Sequence, residues 1–529
     1  MFTITLATAD LSSPWAWNDG HLTTGTSDIA ALRHPALETM VATDGSRTLL
    51  SVRERAADHR TTSDTWSCVS PARLDTLAAQ CTQWSLEHTT LVIDATTQEA
   101  TMTAGSFGTL PLYLTTTTNG TLRASWQLPD LHRQCSLKSL DQATAAALLG
   151  GTRTYSQHTL FETVRMLTER ATATFDHHGL RLAYPEPAEH GLPRDLALGV
   201  NPVAVFGALL TEACTRRPLS ARPVAVQLSG GIDSANVAMT LGQLHPGQTT
   251  PAGLLIGGDA GPQQARRRTR MIDTMGLGTD ITVHASDHLP YAPDTLRTAR
   301  PLAAGPDEEP YLEMGDALAQ ALARSNITMV FTGFGGDEFS APHTPATPTL
   351  AAPRRRGLWP WLTPIAREAA QEARSRTAPA PRVHRTTLQA LACADPLQVR
   401  QGIWPVHPFA DQQIIRFGEW LPDQWRHDKS LQHHRLAILL PADVVHAPLR
   451  ENFAHLMTRA VHQHLAPRLL AQLPQLRLAD TGLIDPDRLA HTARTAASDH
   501  AAAHDHAGLY AVLALESYLR ALEQPDTTR

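Results

Sequence analysis

Residues 224–239, VAVQLSGGIDSANVAM, constrain the fold of this chain more than any other stretch. A short apolar run with strand character breaks into two consecutive glycines, then an aspartate and a serine, and the pattern becomes helical. Such a strand–turn–helix connection belongs to parallel α/β sheets, in which ligands bind at the carboxyl ends of the strands. The alternation continues on both sides of it. Residues 223–228 read as strand and 234–244 as helix; 252–256 read as strand and 263–275 as helix. Runs at 280–284 and 327–332 complete a set suited to a doubly wound parallel sheet covered on both faces.

The flanks read differently. Up to about residue 195 short strand-like segments alternate with turns, as in PLYLTTTTNGTLRASW, where Asn119-Gly120 suits a tight hairpin. A mostly antiparallel domain is expected there. The Pro-rich YPEPAEHGLPRDLALGVNP then reads as a linker, ending where Asn201 can cap a helix with Pro202 in its first turn. Two domains, 1–195 and 196–529, fit the length. Beyond residue 400 helices are expected, one capped by Asp411 with Ile414, Ile415, Gly418 and Leu421 on its apolar face, and amphipathic helices continue to GLYAVLALESYLRALE. Segment 341–385, dense in Pro, Thr and Arg, is expected to be a long loop or a poorly ordered excursion beside the α/β core.

Composition narrows the function. Forty-five basic and 51 acidic residues give a net charge of −6, so neither nucleic acid nor an anionic membrane is expected as partner. The five cysteines form no CxxC pair, which argues against a zinc ribbon or a disulfide framework. No run approaches the roughly 18 apolar residues needed to span a bilayer, and the first residues lack a basic region before an apolar one; a cytoplasmic protein is expected.

The glycine turn has the parts of a phosphate cradle. Gly230 and Gly231 let the backbone approach an oxyanion, Ser229 and Ser234 add hydroxyls, and the helix dipole favours negative charge. The GxxxxGK[ST] pattern of P-loop enzymes is absent. Asp233 puts a carboxylate where that lysine's charge belongs, which requires Mg²⁺ to bridge it to phosphate oxygens. A second stretch, VFTGFGGDEFS at 330–340, repeats the design with Gly333, Gly335, Gly336 and Asp337. Two carboxylates from separate strand ends can then share one magnesium ion around a pyrophosphate.

SGGIDS resembles the pyrophosphate loop of N-type ATP pyrophosphatases. Its pairing with TGFGGDE and HPFADQQIIRFGEWLP is similar to the synthetase domain of asparagine synthetases and their relatives. FGTLPLYL, LRASW and TLFETVRML likewise resemble the glutaminase domain that precedes it. The resemblance implies an Ntn-hydrolase-like antiparallel β/α domain followed by a parallel-sheet domain of the adenine nucleotide α-hydrolase type with a helical tail. It implies that Ser229, Gly230, Gly231, Asp233 and Ser234 bind the ATP pyrophosphate and Mg²⁺, and that Asp337 completes the metal site. By the same resemblance Leu228, Ile256, Thr332, Gly333, Gly335 and Gly336 contribute to the ATP site, and Lys429 in RHDKSLQHHRL is the catalytic lysine.

Two departures direct the choice among branches. The family's glutaminase uses a cysteine exposed after removal of methionine, whereas position 2 is Phe2 and the first cysteine is Cys68. Branches with this loss close rings using an amine within the substrate. β-Lactam synthetases carry a tyrosine of a catalytic dyad where this chain has Phe334. The resemblance therefore implies a lasso-peptide macrolactam synthetase, whose partners are a ribosomal precursor peptide, a leader protease and a leader-recognition protein; LADTGLIDPDRLAHTAR and LALESYLRAL also look like that branch. The alternatives are a β-lactam-forming or ammonia-dependent ligase of the same fold, an RNA-modifying ATP pyrophosphatase, and a scaffold without catalysis. Glu338 and Asp411 read as helix caps and Arg266–Arg270 as a solvated helix face. His500, His504, Asp505 and His506 read as a solvated helix end.

Overall fold

The structure is a computed structural model that describes residues 1–59, 66–219, 223–341, 359–504 and 506–523. Its amino-terminal part is built on two seven-stranded sheets. In spatial order the first runs Arg165–Leu167, Leu112–Thr116, Thr121–Ser125, Phe2–Ala7, Ser27–Ala31, His21–Thr24 and Ala16–Asn18, all antiparallel. The second runs Gly179–Ala183, Thr172–Asp176, Glu99–Ala104, His88–Asp94, Arg47–Glu54, Leu37–Thr43 and Trp66–Cys68; its last pair is parallel and the others antiparallel. Strand alternation sends Phe2, Ile4 and Leu6 of one sheet and Leu50, Val52, Leu91 and Ile93 of the other into one buried cluster. The expected hairpin forms with Gly120 at φ +76° and Tyr113 opposite Ser125. Helix Pro71–Thr82 covers the second sheet by packing Leu74 and Cys81 on Met40, Ala42 and Leu49.

A five-stranded parallel sheet follows, in the spatial order Ile281–His284, Thr250–Leu255, Val224–Gln227, Met329–Phe331 and Trp404–Val406. The strand order reverses between Val224–Gln227 and Met329–Phe331, so the doubly wound arrangement puts its switch point between the two strands that lead into the glycine stretches. Helices Ile232–Leu244, Gly261–Met275, Leu312–Arg324 and Arg385–Arg400 pack against this sheet. The last strand, Trp404–Val406, was not among the sequence expectations; its Pro405 sits at the sheet edge, where a missing N–H costs least. The remainder is helical through Leu509–Leu522, and among the described residues no helix is long and apolar enough to cross a membrane.

The two parts are tied by a buried ionic junction. Glu54, at the end of its strand, accepts from Arg217 Nε at 2.8 Å and Nη2 at 2.9 Å, and from Trp404 Nε1 at 2.7 Å. All three side chains are buried, so the charges are tolerated because each is matched.

Two expectations are corrected. Residues 342–358 of the expected 341–385 loop lie outside the described residues, but beyond them Thr363 caps a helix, Pro364–Ser375, by accepting from Ala366 N at 3.1 Å. The Thr-Pro start signal was hidden by the local density of Pro, Thr and Arg. The arginine run is not uniformly solvated either. Arg267 is buried, paired with Glu451 at 2.7 Å and donating to the Val444 carbonyl at 2.8 Å; Arg268 is buried with Asp280 at 2.6 Å. Arg266 and Arg270 stay exposed. His500 and His504 are exposed on a short helix, as expected, and Asp505 lies outside the described residues.

Candidate active site

The first glycine loop leaves the sheet at Leu228, whose amide still donates to the Ala252 carbonyl at 2.7 Å. Gly230 then takes φ +95°, a conformation that a side chain would strain. Ser229 Oγ accepts from Gly231 N at 3.1 Å, and Ser234 Oγ lies 3.1 Å from Ser229 Oγ, so both hydroxyls shape the turn. Helix Ile232–Leu244 starts at Gly231 without a side-chain cap, which leaves its first N–H groups for an anion. Gln264, which sequence reasoning missed, clamps the loop: its Nε2 donates to the Ser229 and Leu254 carbonyls at 2.8 and 3.0 Å, and its Oε1 accepts from Ile256 N at 2.9 Å.

The second loop touches the first through its glycines. A Cβ on Gly333 would lie 2.7 Å from Ser234 N, and one on Gly336 would lie 2.3 Å from Asp233 Cγ. Phe339, at the end of the short helix Gly336–Phe339, stacks on Phe206 at 5.1 Å between ring centres and packs on Phe409 at 5.6 Å, which fixes the loop's depth. A Gly336→Ala variant is accordingly expected to push the loops apart, costing about 1–3 kcal/mol of stability. Thermal unfolding followed by circular dichroism checks this, and a shift of about 1 Å in the carboxylates should lower the rate of a reaction at this site by about 10²-fold.

Lys429 joins the two carboxylates. Its Nζ lies 2.5 Å from Asp233 Oδ2 and 2.5 Å from Asp337 Oδ1. The lysine caps helix Ser430–Leu436 from the left-handed region, φ +56°, directly after Asp428 at φ +49°. Burial raises the Asp233 pKa, and Lys429 only partly offsets it. Burial alone would lower the Lys429 pKa, but Asp233 and then Asp337 outweigh it and hold the ammonium above the ordinary lysine value. Asp337 is open to solvent while Asp233 is largely covered, so the cluster has one buried and one accessible end.

Beside the loops is a cavity of about 560 Å³. Ser229, Gly231, Asp233, Ser234, Thr332, Gly333, Gly335 and Asp337 line its polar end, and Leu318, Leu322 and Leu397 its apolar wall. Phe334, Glu338 and Glu309 also face it. Gly230 and Gly336 stand behind the lining and set its backbone, and Leu228 is fully buried beneath it. Ile256 is buried away from the cavity, with its carbonyl accepting from His455 Nε2 at 3.0 Å. Asp411 caps helix Gln412–Trp420 through Gln413 N at 2.9 Å and pairs with Arg216 at 2.8 Å.

Sequence reasoning also missed a buried polar chain at this strand end. Thr332 Oγ1 lies 2.7 Å from His407 Nδ1, and His407 Nε2 lies 2.8 Å from Asp395 Oδ2. The available signals were the histidine of HPFADQ and an aspartate before Pro396, inside helix Arg385–Arg400.

The residues present fit a magnesium ion that is held mainly by phosphate. Asp233 and Asp337 are hard oxygen donors already converging on one positive charge, the Lys429 ammonium. Asp233 Oδ1 is buried without a hydrogen bond among the described residues. No group of three or more His, Cys, Asp or Glu that could hold a metal occurs among the described residues.

A doubly wound parallel sheet with two glycine loops, two carboxylates and a lysine gathered at its switch point has the arrangement in which α/β proteins bind ligands. The sequence model of the asparagine synthase family matches residues 206–520, and the chain belongs to that family. It is therefore an ATP-dependent carboxylate–amine ligase of the asparagine synthetase type. No curated protein matches the chain.

Proposed function

We propose that the protein is an AMP-forming macrolactam synthetase of lasso-peptide biosynthesis. It adenylates an Asp or Glu side chain of a ribosomal precursor peptide and joins it to that peptide's amino-terminal amine. The observation that supports this best is the continuity of one cavity from the charged loops to an apolar wall of Leu318, Leu322 and Leu397. An apolar wall rewards a substrate that brings aliphatic or aromatic surface, at about 25 cal/mol per Å² buried, and offers little to free aspartate and ammonia. Phe334 offers no hydroxyl where β-lactam synthetases carry tyrosine.

In this reading the N–H groups of the Ser229–Ser234 turn and helix start hold the ATP phosphates. Asp233 and Asp337 would hold Mg²⁺, which would supply positive charge to the phosphate oxygens. The substrate carboxylate oxygen bonds to the α-phosphorus as the α–β bridging P–O bond breaks, and pyrophosphate leaves. Lys429 neutralises the charge growing on it. The held amine then attacks the acyl carbon, the C–O bond to AMP breaks, and the amide remains. Orientation within the cavity supplies much of the acceleration. The amino-terminal part is a glutaminase-like domain without its nucleophile, and a leader protease and leader-recognition protein deliver the peptide.

ATP–pyrophosphate exchange tests the reading, with purified protein offered leader-free precursor peptide, small β-amino acids, or aspartate with ammonia. Exchange that requires the peptide is expected. Exchange with aspartate and ammonia alone would remove the macrolactam assignment, and exchange with β-amino acids alone would move it to small-molecule ring closure.

A further inference from the structure

We propose that His407, held by Asp395 and acting through the Thr332 hydroxyl, takes the proton that the attacking amine sheds as the amide bond forms. This rests on the amide-forming reading above and supplies the proton acceptor that Phe334 cannot be.

The geometry is that of a three-member relay. Thr332 lines the cavity next to Gly333 and Phe334, and its Oγ1 lies 2.7 Å from His407 Nδ1. On the far side of the ring Nε2 lies 2.8 Å from Asp395 Oδ2. With the Asp395 carboxylate accepting from Nε2–H, Nδ1 is left as the acceptor for the threonine hydroxyl. Phe334 N donates to the same Oγ1 at 3.3 Å, so the oxygen is held with its proton toward the histidine. The ring cannot turn away: Phe334 packs against its face edge-on at 5.8 Å between ring centres, and all three relay residues are buried.

The three residues come from different elements: Thr332 from the end of Met329–Phe331, His407 from the end of Trp404–Val406, and Asp395 from helix Arg385–Arg400. A tie across this corner needs only one hydrogen bond per pair. Asp395 is wholly buried, which raises its pKa, and its hydrogen bond to the His407 ring only partly offsets this. Among the described residues Asp395 is the titratable group hydrogen-bonded to the imidazole; Lys429, Asp233 and Asp337 form their own cluster with one another.

The step balances. The amine nitrogen forms a bond to the acyl carbon, and the carbon–oxygen bond to AMP breaks with its electron pair on the AMP oxygen. The surplus proton on nitrogen passes to Thr332 Oγ1 as that oxygen gives its own proton to His407 Nδ1. An imidazolium facing the Asp395 carboxylate results, and it returns its proton to solvent after product leaves.

The test measures AMP and amide in the same reactions for wild type, His407→Gln and Asp395→Asn, between about pH 6 and 9. Amide formed per AMP is expected to fall about 10²-fold in both variants, because adenylate that cannot be aminolysed promptly is lost to water. The shape of the pH profile of amide formation should differ between wild type and His407→Gln. Thr332→Ser should retain coupling and the shape-matched Thr332→Val should lose it. The proposal is overturned if amide and AMP fall together with the wild-type pH profile kept, or if Ser and Val at 332 behave alike. Absence of pyrophosphate exchange with any carboxylate in wild-type protein would instead remove the ligase reading on which the proposal stands.

Discussion

Replacing Lys429 with methionine is expected to lower the rate of AMP formation by about 10²–10³-fold, with the loss in kcat rather than in nucleotide binding. The methionine keeps most of the side chain's length and removes its charge. In the proposed reaction nucleotide is still held by the N–H groups at the start of Ile232–Leu244, which the substitution does not touch. What disappears is a cation 2.5 Å from both Asp233 and Asp337, which in the proposed reaction faces the charge growing on the leaving pyrophosphate. Lys429→Arg should recover little, since a planar guanidinium cannot occupy the narrow space between two carboxylates as a compact ammonium does. Steady-state kinetics with varied ATP separates kcat from KM. A rise in KM at unchanged kcat would mean that the lysine only binds.

The largest effect on stability is expected at Glu54. Glu54→Ala leaves the Arg217 guanidinium buried without its carboxylate and the Trp404 indole N–H without its acceptor, which should cost about 3–5 kcal/mol. Thermal unfolding followed by circular dichroism should show a clearly lowered midpoint. A double variant, Glu54→Leu with Arg217→Met, is expected to recover part of the loss, because it removes the stranded charge and fills the space with apolar surface. If the single variant melts like wild type, the junction does not hold the two parts together. Trp404 begins the strand Trp404–Val406 that leads to His407, so this junction also anchors one wall of the relay.

Local chemistry made the loops legible. LSGGIDS and TGFGGDE each carry, within seven residues, the strand end, the φ-permissive glycines and the carboxylate, and the two strands prove to be neighbours at the switch point. Lys429 was legible only through resemblance, because a lysine in a polar connection carries no local sign of the two carboxylates it meets. The apolar wall was not legible: Leu318, Leu322 and Leu397 sit on helices whose spacing is that of any core-facing helix. Arg267 and Arg268 misled because a run of basic residues looks solvated until folding brings Glu451 and Asp280 to it. His407 and Asp395 escaped because each is a lone polar residue in an apolar context, and only the crossing of helix and strand makes them a pair.

The central claim is that this site makes a carboxyl group electrophilic by joining it to AMP, and transfer of isotope tests it directly. Precursor peptide with ¹⁸O in the acceptor side-chain carboxylate, incubated with protein, magnesium and ATP, should yield AMP carrying one ¹⁸O atom and unlabelled pyrophosphate. Label recovered in inorganic phosphate alongside ADP, or AMP formed without label, would contradict the account.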